Sequence, residues 1–294
     1  MIQHLLQLIW NQRKQNAWLW AELLLVSVFL WFLVDYLYVM GRTYTAPLGF
    51  DIRHTYSIVI SSLSERSPDY IPKEKRERPD GVHLLTALDR IRTYPGVESA
   101  CLTDGGMPYY MGSRNLVWRI DTLQVPCRYA FVTPEFFDVF RIYDKDGKTA
   151  SLKRAIEDNN SIVISADVET MNPGLSLLGQ KAYRGNVTDE IEETIRGISV
   201  PIRRHEYTKA EPNVYRALRL SRMEEGYYEG MIDAVRLCVR VRPDVDNADF
   251  PARFRKDMAE QLRLGNLYLL DVQPLSYIRD GYIRSIGVEN EVKT

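Results

Sequence analysis

Three arginines in one strand-like segment, Arg236, Arg240 and Arg242, are the residues best suited by type and spacing to bind a charged partner. Guanidinium groups bind carboxylates and phosphates well, because their planar donors reach two oxygens at once. The competing interpretation is a solvated strand face whose arginines pair with neighbouring acids, an arrangement that is common and weak. We favour the solvated face.

Metal chemistry finds little support in the sequence. The four histidines are scattered, and no two share a helical or strand spacing that would place them on one metal: His4, His54, His83 and His205. Asp144-Lys145-Asp146-Gly147 resembles a calcium loop, but its glycine directly follows the second aspartate and no glutamate stands at the twelfth position. We predict surface or core histidines, a tight turn at Asp144, and neither metal nor cofactor.

The motifs of common enzyme classes are missing from the sequence. It contains no G-x-x-x-x-G-K-[ST] loop, no G-x-S-x-G elbow, no H-E-x-x-H helix and no G-x-G-x-x-G turn. We therefore predict no catalytic residues, and ATP hydrolysis would reside in a separate chain.

The sequence contains three cysteines, Cys101, Cys127 and Cys238, and no two of them have the C-x-x-C spacing. Three buried thiols are the first expectation. A disulfide between Cys101 and Cys127 stays open if the domain is exported, because that compartment permits oxidation.

An apolar run from Ala17 to Met40 dominates the start of the chain and is long enough, at about 1.5 Å per residue, to cross a bilayer. Arg13 and Lys14 precede it and predict a cytoplasmic N-terminus, with the residues that follow on the outer side. Aromatic residues that prefer the headgroup level flank the run: Trp18, Trp20, Tyr36 and Tyr38.

The alternatives to a retained membrane span are a cleaved signal peptide and a buried core helix. The run is too long for the h-region of a signal peptide, and no A-x-A-like cleavage site follows it. Glu22 and Asp35 lie near its two ends, where a carboxylate costs least. Snorkelling towards the interfaces is the expected behaviour of both, and a contact of Asp35 with another membrane helix is the alternative.

Beyond the span roughly 250 residues remain, enough for one large or two small domains. Lys and Arg number 38 against 39 Asp and Glu, a balance that does not indicate nucleic-acid binding. The densest charge cluster, Lys73 to Asp80, contains both signs and is predicted to be a solvated loop.

Two strand-helix-strand units are predicted from periodicity. The first spans residues 56–104, with a helix that presents Leu84, Leu88 and Ile91 and stops at Pro95-Gly96. The second has a half-buried strand at Val235–Val241, a helix from Asp249 to Leu264 and a strand in NLYLLDVQPL.

Between these units, residues 112–226 show short strands and turns, and we interpret them as an insertion into an α+β fold. Thr133 and Ser165 are predicted to cap short helices, the second of which ends at Asn172-Pro173-Gly174. The expected segments are an amphipathic cytoplasmic segment 1–16, a transmembrane helix 17–40, a subdomain from 41–111 and 227–275, the insertion 112–226, and the start of a stalk helix at 276–294.

That last segment places Ile278, Tyr282 and Ile286 on one helix face and has no clear terminator. We expect the chain to be a piece of a longer protein.

Several strings together resemble a known family. The strings are WNQRKQNAWLWAELLLVSVFLWFLVDYLY at the apolar run, VTPEFFDVF, NSIVIS, LLGQKAY, IRGISVPIRR and AEPNVYRAL. In this order, from Met1 to about Leu218, they resemble MacB-like and FtsX-like permease subunits of ABC systems, in a form typical of Bacteroidetes-type bacteria. None of the strings is catalytic, so the resemblance rests on their shared order.

The resemblance implies a periplasmic core domain with a porter-like subdomain of two βαβ units and an inserted mixed α/β subdomain. It also implies a non-enzymatic role in export or mechanotransmission in the bacterial inner membrane, a separate cytoplasmic ABC ATPase, and a homodimer or a heterodimer with a related permease. No nucleic-acid partner is implied.

The family pattern continues into three further membrane helices, whereas this sequence stops at Lys293-Thr294, so coupling to an ATPase by this segment alone is not implied. A membrane-anchored periplasmic binding or sensor module is the alternative function, and an anchored hydrolase is a remote third because no nucleophile or metal constellation is present. The substrate is not predicted, because fold does not determine it.

Overall fold

A computed structural model describes residue 10 and the ranges 17–112, 114–184 and 190–287, and it divides into two compact units, residues 1–46 and 47–294. The strands are β1 (Thr55–Ser62), β2 (Val97–Asp104), β3 (Asn115–Ile120), β4 (Leu123–Val132), β5 (Ser161–Ser165), β6 (Lys181–Arg184), β7 (Ile191–Ser199), β8 (Asn213–Ala217), β9 (Val235–Val241) and β10 (Leu267–Pro274). The helices are α1 (Ala17–Thr45), α2 (Asp80–Arg92), α3 (Phe136–Val139), α4 (Ala150–Glu157), α5 (Asp167–Met171), α6 (Leu220–Glu224), α7 (Phe250–Met258) and α8 (Leu275–Ile286), with short 3₁₀ helices at Lys73–Lys75 and Ile232–Ala234.

The first unit contains α1, which is exposed along its length and is long and apolar enough to cross a membrane. It continues past the predicted end at Met40 to Thr45. The predicted amphipathic segment 1–16, which includes Arg13 and Lys14, lies outside the described residues except for Trp10.

The second unit begins with a four-stranded antiparallel half-sheet of order β10-β1-β9-β2. Each predicted strand-helix-strand unit is present, but the two interleave: β9 lies between β1 and β2, and β1 lies between β9 and β10. This arrangement is a split βαβ fold with α2 and α7 as its two helices.

The remaining strands form a closed ring of order β4-β3-β6-β7-β5-β8, because β8 pairs back onto β4 in parallel. The half-sheet joins the ring where Thr103 and Asp104 of β2 pair with Val132 and Phe131 of β4. The predicted α+β class, with an apolar N-terminal helix before a mixed domain, is confirmed. The partition of this domain at residues 112 and 226 stays a prediction.

Three apolar cores hold the second unit together. The first lies between the half-sheet and α2 and α7, where stripes such as Leu84, Leu88, Phe250 and Phe254 are buried. The second covers the opposite face of the half-sheet and the outside of the ring beneath α3 and α4. The third fills the ring and includes the fully buried Trp118.

The two predicted side-chain caps are wrong. The Thr133 hydroxyl accepts a hydrogen bond from the Leu102 amide at 3.1 Å, and α3 begins only at Phe136. The Ser165 hydroxyl accepts from the Asn213 amide at 2.9 Å, and α5 has no side-chain cap. Both hydroxyls are buried beside another segment and satisfy its backbone donor instead of a helix end.

The charged cluster Lys73 to Asp80 is mostly exposed, as predicted, but its end is not solvated. Asp80 begins α2 and is buried. Arg76 lies 3.0 Å from an Asp80 oxygen and 2.6 Å from a Glu229 oxygen, so this part of the loop is fixed against the domain.

Candidate functional site

The start of the second unit and its last described helix lie beside each other. Phe50 and Ile52, where the chain enters the unit, pack on the second core together with Leu275 and Ile278 of α8. We call the group that connects these ends, Phe50, Tyr109, Glu206, Arg279 and Tyr282, the junction.

Tyr109 lies between the entering segment and α8. Its ring packs edge-on against Phe50, with centroids 5.8 Å apart, and against Tyr282 at 5.9 Å. Edge-to-face pairs of this kind add to the energy of simple burial. Tyr109 also has a φ of 59°, a left-handed conformation that bulky residues rarely adopt and that the surrounding contacts must maintain.

Glu206 connects Tyr109 to α8 through charge. The Tyr109 hydroxyl donates to Glu206 Oε1 at 3.1 Å, and Arg279 Nε donates to the same oxygen at 2.6 Å. Burial opposes ionisation of Glu206, but the hydrogen bonds from Arg279 and Tyr109 lower its pKa overall. Burial and the nearby Glu206 raise the pKa of Tyr109, so the junction pairs a carboxylate with a neutral phenol.

Arg240 fixes the entering segment from inside the domain. It is fully buried, and its Nε, Nη1 and Nη2 donate to the carbonyl oxygens of Val139, Arg53 and Asp51, each at 2.7 Å. Burial lowers its pKa, and the three carbonyls compensate for the lost water.

The prediction of a solvated strand face is therefore wrong for Arg240. The strand β9 lies at the centre of the half-sheet, where the first core covers one face and the second core covers the other. The Arg236 guanidinium stacks over the Tyr110 ring, 5.2 Å from its centre. Of the three arginines only Arg242 is exposed, and its Nε lies 3.3 Å from Asp244 Oδ1. These three arginines do not form one site for a charged partner.

The histidines have separate surroundings. His54 Nδ1 lies 2.5 Å from an Asp246 oxygen. Burial lowers the pKa of His83, and the side chain of His205 is fully buried. His4 lies outside the described residues. Across the described part of the chain, no three His, Cys, Asp or Glu side chains are grouped for a metal.

The predicted turn at Asp144 is confirmed. Its Oδ1 accepts from the amides of Asp146 and Lys148, each at 2.9 Å, and Gly147 has a φ of 76°. The aspartate thus closes the turn on its own backbone.

All three cysteines are free and buried, as first expected. The alternative disulfide between Cys101 and Cys127 is absent, because Cys101 belongs to the second core and Cys127 to the core inside the ring. Cys101 instead faces Cys238 across the β2–β9 pairing. Burial raises the pKa of the Cys127 thiol to about 12.

One end of the ring has polar side chains at inward positions. These side chains are Arg184 on β6, Glu193 on β7 and Arg216 on β8, and each lies two residues from an apolar residue of the ring core. Because alternate residues of a strand point to the same face, all three point to the inner side of the ring. Arg216 donates to Glu193 Oε1 at 2.9 Å through Nε and at 2.5 Å through Nη2, and Arg184 Nε lies 3.4 Å from Oε2.

A cavity of about 250 Å³ opens at this end, which we call the barrel mouth. Within the described ranges, no acidic side chain lines this cavity. Five arginines belong to its lining: Arg114, Arg184, Arg216, Arg219 and Arg222. Sequence reasoning missed this group because its members come from separate elements. Arg216, Arg219 and Arg222 recur at every third residue, but they lie on β8, just before α6 and on α6, so no single strand or helix period selects them.

No family model matches the chain, and no curated protein matches it. Among solved structures it is similar to a domain of a protein described as a permease from Porphyromonas gingivalis, with 19% identity, 76% of this chain and 91% of that chain covered, and a TM-score of 0.47. It is also similar to the periplasmic region of MacB from Actinobacillus actinomycetemcomitans (9% identity, 83% and 97% covered, TM-score 0.43). A third similarity is to the extracellular domain of the ABC-type transporter YknZ from Gram-positive bacteria (11% identity, 73% and 100% covered, TM-score 0.40).

Proposed function

We propose that this chain is a non-enzymatic permease-type subunit of an ABC export or mechanotransmission system in the bacterial inner membrane. The helix α1 anchors it, the second unit lies in the periplasm, and a separate cytoplasmic ATPase drives the motion. The chain would work as a homodimer or with a related permease.

The junction is the observation that carries this proposal. A domain that transmits motion must be held firmly by the segments that connect it to the membrane. Residues 47–52 follow α1 in sequence, and α8 is the last described helix; both are fixed to the domain through Tyr109, Glu206 and Arg279. The segment that follows α1 and the predicted stalk helix would then both start from one end of the domain.

The test compares two arginines on α8 in the complete system. Affinity purification of the full chain from native membranes should also recover an ATP-binding-cassette ATPase. We expect Arg279→Gln, which removes the bond to Glu206, to reduce the effect of the chain on the ATPase rate. Arg284→Gln is the control, because Arg284 Nε donates to the Asp280 carbonyl within its own helix. Equal rates for the two variants would contradict transmission through the junction.

Orientation and ATP hydrolysis have their own tests. Protease added to spheroplasts should digest the second unit, and its survival until lysis would contradict a periplasmic location. Incubation of the purified chain with Mg-ATP should release no inorganic phosphate, because the sequence contains no phosphate-cradling loop that would hold a nucleotide for hydrolysis.

A membrane-anchored periplasmic binding or sensor module is the second candidate, and the cavity at the barrel mouth favours it. If no ATPase accompanies the full chain through purification, this second function becomes the better account.

A further inference from the structure

The barrel mouth has more positive charge than its protein partners neutralise. Glu193 contacts both Arg184 and Arg216, and its side chain is only 1% exposed. Two guanidinium groups therefore share one negative charge in a buried place. Burial lowers the pKa of Arg216, although Glu193 opposes that shift, so the protonated arginine is not fully compensated.

The surrounding arginines add to this surplus. Arg114 lies 2.9 Å from an Asp104 oxygen, so its charge is matched. Arg219 donates to the Asn159 carbonyl at 3.3 Å, and Arg222 stacks over the Tyr227 ring at 5.1 Å. Five arginines thus face two carboxylates, Asp104 and Glu193, within the part of the chain that the structure describes.

The cavity between them also offers apolar surface. Phe131, Tyr129 and Tyr227 belong to its lining, and the Arg216 guanidinium lies 4.9 Å from the centre of the Phe131 ring. A concave site with aromatic walls and a few convergent charges is the usual form of a small-ligand site, and the mouth of a barrel is a usual place for one.

We propose that the barrel mouth binds a phosphate monoester carried on an apolar body. The surplus of about three positive charges is better matched by a dianion than by a single carboxylate, and guanidinium forks suit phosphate oxygens. The aromatic side chains would contact the apolar body. This inference does not depend on the proposed transport role, since a chain that transmits no motion could still bind such a ligand.

The experiment is calorimetric titration of the full chain in a neutral maltoside detergent. Phenyl phosphate should give a saturable signal, inorganic phosphate a weaker one and phenol none, because only the first supplies both the dianion and the apolar body. Short-chain phosphatidic acid distinguishes the source of the phosphate: tighter binding than phenyl phosphate indicates a lipid headgroup, and weaker binding indicates a soluble ester.

Two variants test the site itself. Arg219→Gln and Arg222→Gln should each weaken binding of phenyl phosphate roughly tenfold, the usual effect of one lost charge-assisted bond. Arg255→Gln is the matched control, because Arg255 is a half-exposed arginine paired with Asp271 on the half-sheet. Absence of a saturable signal with phenyl phosphate and phosphatidic acid, or equal binding by all three variants, would overturn the proposal.

Discussion

The junction and the barrel mouth both depend on arginines, and they use them in opposite ways. In and beside the junction, Arg240 gives all three of its donor nitrogens to backbone carbonyls and Arg279 is matched by Glu206. At the mouth, Arg184 and Arg216 share one carboxylate beside an open cavity. The supply of acceptors within the protein, and not the residue type, therefore decides whether a buried arginine stabilises the fold or is available to a ligand.

The largest expected effect is at Arg240. The variant Arg240→Met leaves three carbonyls without their donors, one of them buried and two partly buried, and should lower the free energy of unfolding by about 3 kcal/mol. Arg242→Met, directly after β9 and exposed, should change it by less than about 0.5 kcal/mol. Chemical denaturation of the full chain in detergent measures both, and equal losses would contradict the structural role of Arg240.

A smaller effect is expected from the phenol of the junction. Tyr109→Phe keeps both ring contacts and removes only the hydrogen bond to Glu206, so it should cost about 1 kcal/mol. Tyr277→Phe is the control on α8, because Tyr277 is exposed. The same denaturation assay applies, and a control as costly as Tyr109→Phe would show that the bond contributes nothing specific.

The pH dependence of the junction follows from Glu206. Its pKa is lower in the folded state than the ordinary value of about 4.3, so its contribution to stability is complete above that value and is lost as the pH falls through the folded pKa. Melting temperatures measured below about pH 5 should therefore fall less steeply for Glu206→Gln than for the parent chain. Glu224→Gln, at an exposed position, should leave the slope unchanged. Identical slopes for all three proteins would contradict a contribution of Glu206 to the pH dependence of stability.

The smallest effect on stability is expected at the mouth. Arg222→Gln removes a charge that already stands in surplus, so the free energy of unfolding should change by less than about 0.5 kcal/mol. A loss comparable with that of Arg240→Met would mean that the mouth is structural after all, and the contrast between the two regions would disappear.

Much of the fold follows from periodicity in the sequence. The apolar run gives α1, the spacing of Leu84, Leu88 and Ile91 gives α2, and the alternation of Val235 to Val241 gives β9. These are local patterns, and α2 and β9 bury the apolar residues that their own periods select.

The sites were harder to predict, because they depend on pairings between distant segments. The alternation in β9 is the same whether one face or both faces are covered, so it could not show that Arg240 is buried. Ring closure by the parallel pair β4 and β8 carries no local signal either. The arginines of the mouth and the partners of Tyr109 become neighbours only through such pairings.

The interleaved strand order has a consequence for synthesis and export. Both neighbours of β1 come late in the chain: Ile58 pairs with Leu237 of β9 and with Val272 of β10. The ring strands, by contrast, are complete by Ala217. A chain that emerges from its N-terminus can therefore close the ring while β1 still waits with unpaired backbone groups and exposed apolar side chains. The half-sheet is the last part to form, and β1 is the segment that a chaperone would need to protect until β10 arrives.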